Sequence, residues 1–169
     1  MLNKPTYLRI PTEQDAPYFA SASAAEIIVD RLMAAQRRGN LLLHAFVVLP
    51  NAVELIATPL GTDMIDIKDE LQAHTAILLN ILLPKAAQVW DRRFIVKWLD
   101  TQRALDLQLQ VMACLPLEHA LADQPTFYAY SWLHPRYKGC TSPYMRFMHA
   151  EAIATPETRI AEALSTALW

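Results

Sequence analysis

At 169 residues the chain has the length of one domain, large enough to bury a core without disulfide or metal staples. Hydrophobic residues make up 53% and charged residues 19%, and only 3 glycines are present, which argues against a glycine-rich phosphate cradle. A net charge of −2 and a pI near 6.2 exclude the global basic footprint of a nucleic-acid binder, so any such role must rest on a local patch.

The two cysteines, Cys114 and Cys140, belong to no C-x-x-C pair and read as free thiols in a reducing cytoplasm. The N-terminus lacks the basic-then-apolar pattern of a signal peptide, and no apolar run has membrane-spanning length. No membrane association is expected.

Residues 5–10 predict a first strand ended by Pro11. Ile27, Ile28, Leu32, Met33 and Ala35 recur at helical spacing and predict a helix over 23–38, with Ser23 and Glu26 as a capping box and Gly39 as its stop. Residues 41–59 predict strand, turn, strand around Pro50-Asn51. Pro50 cannot take the positive φ of primed two-residue turns, so a longer loop is expected. Side-chain alternation puts Ala52 and Glu54 on one face of the second of these strands.

A long helix follows over 64–83, with Leu71, Thr75, Leu78, Leu79 and Leu82 on one stripe and Pro84 as the stop. Its half 76–83 is apolar nearly all round, which predicts burial on more than one side or a place at an interface. Residues 92–99 read as a strand with a basic start. A third helix runs from Thr101 to Cys114, with Leu105, Leu109 and Met112 inward and Pro116 as its end. After the aromatic stretch 127–132, Thr155-Pro156-Glu157 signals a last helix over 156–167. The order predicts an α+β fold, an antiparallel sheet flanked by helices.

The run Phe46-Val47-Val48-Leu49-Pro50-Asn51-Ala52-Val53-Glu54-Leu55-Ile56 resembles the Y-V-V-M-P-N-H-x-H-L-L hairpin of the single-tyrosine, His-hydrophobe-His transposases, especially their REP-associated, IS200-like branch. Trp90-Asp91-Arg92-Arg93-Phe94 is similar to that family's L-W-Q-x-R-F segment. The stretches 115–117, 120–125 and 128–131 are similar to its L-N-P-V-x-A-G-L-V-x-x-P-x-x-Y-x-W-S run. The resemblance covers about residues 4–133. It implies a ferredoxin-like or RRM-like transposase domain over 1–133, with 134–169 as a helical C-terminal extension.

In the family so resembled, two histidines hold a divalent metal at the scissile phosphate, and a tyrosine on the second long helix attacks it. Here the histidine positions are Ala52 and Glu54, and the tyrosine region holds Thr75 and Leu78. The resemblance therefore implies a relative with no catalytic residues, binding single-stranded or hairpin DNA without cleaving it. Two alternatives stand beside it: a protein-interaction or homodimeric role on the same fold, and a divergent metal-dependent nuclease built on Glu54.

No cofactor is expected, apart from Mg²⁺ if Glu54 retains a weak site, with His74 as its nearest candidate helper. Glu54 otherwise reads as a solvated carboxylate on a half-exposed strand face. His44 and His74 read as structural histidines, while His119, His134 and His149 have no metal-ligand spacing. Tyr128 and Tyr130 read as packing residues, and a tyrosine such as Tyr137 or Tyr144 is a candidate for a relocated nucleophile. The candidate nucleic-acid contacts are Arg92, Arg93 and Lys97, with Arg136, Lys138 and Arg146 interleaved among Tyr137, Tyr144 and Phe147. An ordinary surface of scattered cations is the competing reading.

Overall fold

A computed structural model describes residues 4–84, 86 and 88–141. The last predicted helix, Arg146, Tyr144, Phe147 and His149 lie outside the described residues. Four strands, β1 (Thr6–Pro11), β2 (Leu41–Leu49), β3 (Ala52–Pro59) and β4 (Ile95–Trp98), form one antiparallel sheet in the order β2-β3-β1-β4. Helices α1 (Ala22–Arg37) and α2 (Met64–Leu82) each link two strands that have a third between them, and α3 (Gln102–Glu118) follows β4. This is the split βαβ arrangement of a ferredoxin-like α+β fold.

Register and alternation assign the helices to faces. Leu41 and Leu43 of β2 lie on the face that carries Val53, Leu55 and Ala57 of β3. Leu41 also meets Leu32 of α1 and Ile67 and Leu71 of α2 around one small cleft, so α1 and α2 cover this face. The helix α3 packs on β2 without an extensive contact to α1 or α2, and it covers the other face, where Ala45, Val47, Ala52 and Glu54 point. With helices on both sides, β2 and β3 are almost wholly buried, and their apolar residues run nearly without interruption.

The outer edge of β2 is closed by residues 130–132. Val48 N donates to Tyr130 O at 2.9 Å, and Trp132 N donates to Phe46 O at 3.0 Å. The opposite edge, β4, is four residues long and carries Lys97, two features that discourage edge-to-edge pairing.

Several expectations need correction. Leu49 pairs with Ala52, so Pro50 and Asn51 are the whole loop. Neither takes a positive φ; a type I geometry with Pro at its first central position suffices. The turn is held from outside, because Phe19 N donates to Pro50 O and Thr12 N to Asn51 O, each at 2.9 Å. The helix α1 starts two residues earlier than expected, behind Ser21, and Ser23 lies inside it rather than capping it. Glu26, freed from a capping role, binds Arg136. The strand β4 begins at Ile95 because Asp91 folds back on Arg93. Pro116 sits inside the last turn of α3, where only one backbone bond is forgone.

The stripe predicted for α2 is only partly the buried one. Leu71, Thr75 and Leu79 are buried, whereas Leu78 and Leu82 are exposed. Ile77 and Ile81 are 69% and 71% exposed, so within this chain the apolar half of α2 is buried on one side only.

Candidate functional site

Ala52 and Glu54, which the sequence resemblance aligns with a histidine pair, lie on β3, in the middle of the sheet, on the face under α3. Ala52 is fully buried opposite Pro11. Glu54 is only 4% exposed, which overturns the expectation of a solvated carboxylate. Two side chains from β1 make its burial possible. Tyr7 Oη donates to Glu54 Oε2 at 2.9 Å, and Arg9 Nε donates to Oε1 at 3.2 Å. Arg9 stands directly opposite Glu54 in the register, and Tyr7 is two residues away on the same face. Burial pushes the Glu54 carboxyl above its ordinary range, and the bonds from Tyr7 and Arg9 offset only part of that rise. His119, just after α3, is near enough to act on it electrostatically.

Both Glu54 oxygens are thus engaged by protein donors. His74, the expected helper for a weak Mg²⁺ site, lies on α2, across the sheet from Glu54, where it approaches Glu70 at 3.6 Å. Among the described residues no cluster of three or more His, Cys, Asp or Glu could hold a metal ion. The residues present fit a Tyr–Glu–Arg hydrogen-bonded network better than a divalent-cation site.

The residues aligned with the tyrosine region, Thr75 and Leu78, do not face Glu54. Thr75 is buried on α2 with its hydroxyl donating to Leu71 O at 2.7 Å, and Leu78 points outward. Both belong to the helix on the far face. The helix that reaches the Glu54 side is α3, and it too contains no tyrosine. Tyr137 packs edge-on against Phe46 with 5.0 Å between ring centroids, and burial pushes its hydroxyl up to about 12. A phenol so weakly ionised at neutral pH, and on the α1 side of the sheet, is ill placed as a relocated nucleophile.

Other sequence expectations hold. His44 is fully buried at a β-bulge, with Nε2 2.7 Å from Thr58 Oγ1, as a structural histidine. Tyr128 Oη donates to Val48 O at 2.7 Å and meets Tyr130 edge-on. Cys114 and Cys140 are free thiols.

The basic candidates do not form one patch. Arg92, Arg93 and Lys97 lie at the β4 edge, while Arg136 and Lys138 lie beyond the β2 edge. The three strand spacings between β2 and β4 amount to about 14 Å. Within each group the cations are unequal. Arg93 is bound to Asp91, holding that carboxyl down at about 2, and Arg136 makes a two-pronged pair with Glu26 at 2.9 and 2.8 Å. Arg92, Lys97 and Lys138 are exposed and have no ion-pair partner among the described residues. Sequence reasoning missed Tyr7 and Arg9; their spacing of two on a strand was the available signal.

No protein-family model matches this sequence, and no curated protein matches it. Solved structures similar to it include two transposases. One is a REP-associated tyrosine transposase bound to a REP hairpin, with a TM-score of 0.63 and 14% identity, covering 85% of this chain and 84% of that one. The other is a putative transposase from Deinococcus radiodurans, with a TM-score of 0.47 and 18% identity, covering 63% of this chain and 87% of that one. At such identity the first likeness establishes the fold: the four-stranded antiparallel sheet with its helices is that of the hairpin-bound transposase.

Proposed function

We propose that this chain is a transposase-derived nucleic-acid-binding protein that holds single-stranded or hairpin DNA without cleaving it. The observation that carries the reading is Glu54. On a fold shared with a hairpin-bound transposase, the residue at a histidine position is buried and tied to Tyr7 and Arg9, beside a buried Ala52. A metal-assisted attack needs an open coordination position and a nucleophile facing it. Here the oxygens are taken, and neither α2 nor α3 contains a tyrosine. Arg92 and Lys97 supply the exposed charge at the β4 edge, and Lys138 supplies a separate cation beyond β2. A nuclease rebuilt around Glu54 is disfavoured by the same engagement of its carboxylate.

Anisotropy titration with a labelled DNA hairpin carrying a single-stranded tail tests the binding. The expected result is an affinity that falls steeply between 50 and 200 mM salt. Absence of binding at low salt removes the reading. A nicking assay with Mg²⁺ or Mn²⁺ tests the second half; cleavage lost in Glu54→Ala would restore the nuclease.

A second reading rests on a different observation, the exposure of Ile77, Leu78, Ile81 and Leu82 along one helix. Exposed apolar surface of this kind marks association surfaces, and α2 is then the seam of a homodimer. Sedimentation measurements over a range of concentrations decide between a strict monomer and a dimer.

A further inference from the structure

The helix α3 crosses its face of the sheet toward β2, and the β1–β4 side of that face is left open. Ile95 of β4 is 50% exposed there, and Lys97 is exposed on the same face, because Ile95 pairs with Arg9 and Lys97 with Tyr7. The Arg9 side chain retains 30% of its exposure. It gives only Nε to Glu54, and no protein partner among the described residues takes its two terminal nitrogens. A guanidinium anchored at one nitrogen, with its outer fork free, is suited to an oxyanion. Arg93 and Arg136 differ, because each has its fork closed on a carboxylate.

We infer that this open β1–β4 face is a phosphodiester-binding surface, with Arg9 and Lys97 as its contact residues and Tyr7 and Glu54 as positioning residues for Arg9. The inference rests on the DNA-binding reading above and names the surface that performs it. Arg9 and Lys97 are diagonal neighbours on adjacent strands, roughly 7–8 Å apart at the backbone. Long cationic side chains at that spacing reach two successive phosphates of one strand. The exposed Ile95, opposite Arg9, gives the strand an apolar floor to lie on. The rise in the Glu54 carboxyl through burial acts in the same direction, since a carboxyl more often neutral cancels less of the Arg9 charge.

The test uses the full chain and a labelled DNA hairpin with a single-stranded tail, titrated at 50 and 200 mM salt. Each phosphate contact contributes roughly 0.7–0.9 to the slope of log affinity against log salt. Arg9→Gln and Lys97→Gln are each expected to weaken binding at 50 mM salt. Each is also expected to shrink the loss of affinity between the two salts by a factor of about 3. Arg37→Gln removes the same charge from the end of α1, on the other side of the sheet, and is expected to keep the parent slope. Glu54→Gln retains an acceptor for Arg9 and keeps the slope; Glu54→Ala, checked as folded by its thermal transition, loses it as Arg9→Gln does. Lys97→Gln is an exposed change and gives an answer even where the buried network does not tolerate substitution. Parent binding with parent slopes in both Arg9→Gln and Lys97→Gln overturns the assignment and leaves DNA binding standing. No binding by the parent removes both.

Discussion

A carboxylate in a protein interior is stable only when hydrogen-bond donors replace the water it has lost, and Glu54 has two such donors. Removing one exposes the cost. Tyr7→Phe leaves a buried carboxylate oxygen without its donor and is expected to destabilise the fold by about 1–3 kcal/mol, read from the denaturant midpoint. The sign of the pH dependence follows from the direction of the shift. The folded state holds the Glu54 proton more tightly than the unfolded chain, whose carboxyl titrates near 4.5. Glu54 therefore contributes its stability below that value and loses it as pH rises through the higher, folded value. The stability of the parent relative to Glu54→Gln should fall as pH rises from 4 toward neutrality, and Tyr7→Phe should cost more at neutral pH than in acid. A difference that grows with pH in the parent's favour would mean that the bonds from Tyr7 and Arg9 outweigh burial.

Among the elements, the two long helices show how local signals succeed and fail. Asp63 caps α2 in a reciprocal box: its side chain accepts from Asp66 N at 2.9 Å, while the Asp66 carboxylate accepts from the Asp63 N–H. Asp63→Ala is expected to cost about 0.5–2 kcal/mol with an unchanged denaturant slope. Ser23 has the sequence appearance of a cap but lies within α1, so Ser23→Ala should change stability by less than about 0.5 kcal/mol. The strands were legible because β-rich runs sit between turn residues. The length of the Pro50-Asn51 turn was not, because it depends on hydrogen bonds from Thr12 and Phe19, more than thirty residues upstream. The spacing of Tyr7 and Arg9 put them on one face of β1, but their meeting with Glu54 was not legible, because it depends on the register of β1 against β3, which no local pattern fixes. Ala52 and Glu54 could be placed on a common face from alternation alone, but the helix covering that face could not be named.

At the scale of the whole molecule, the cationic β1–β4 surface, which also exposes Ile95, stands apart from the apolar stripe of α2. The exposed cations Arg92 and Lys97 and the half-buried Arg9 gather at the β1–β4 side, whereas the exposed side chains of Ile77, Leu78, Ile81 and Leu82 project from the α2 side. Residues 75–84 contain no charged side chain, so two copies meeting along α2 in a twofold, self-complementary contact would bring no like charges together there. The small net charge of −2 adds little long-range repulsion between copies. Ile77 and Ile81 are one helical turn apart and would form the centre of that seam. Ile77→Asp places two carboxylates across the axis, where burial and mutual repulsion both oppose association. The expected outcome is a parent that sediments as a dimer at micromolar concentration and an Ile77→Asp variant that sediments as a folded monomer whose thermal transition no longer depends on protein concentration, since Ile77 contributes little to the core of a single copy. DNA affinity per copy should survive the substitution, because the proposed phosphate contacts lie on the opposite face of the sheet. A parent that stays monomeric across the range removes the α2 seam and leaves the β1–β4 surface unaffected. A variant that loses DNA binding with its partner shows instead that two copies are needed to hold one hairpin.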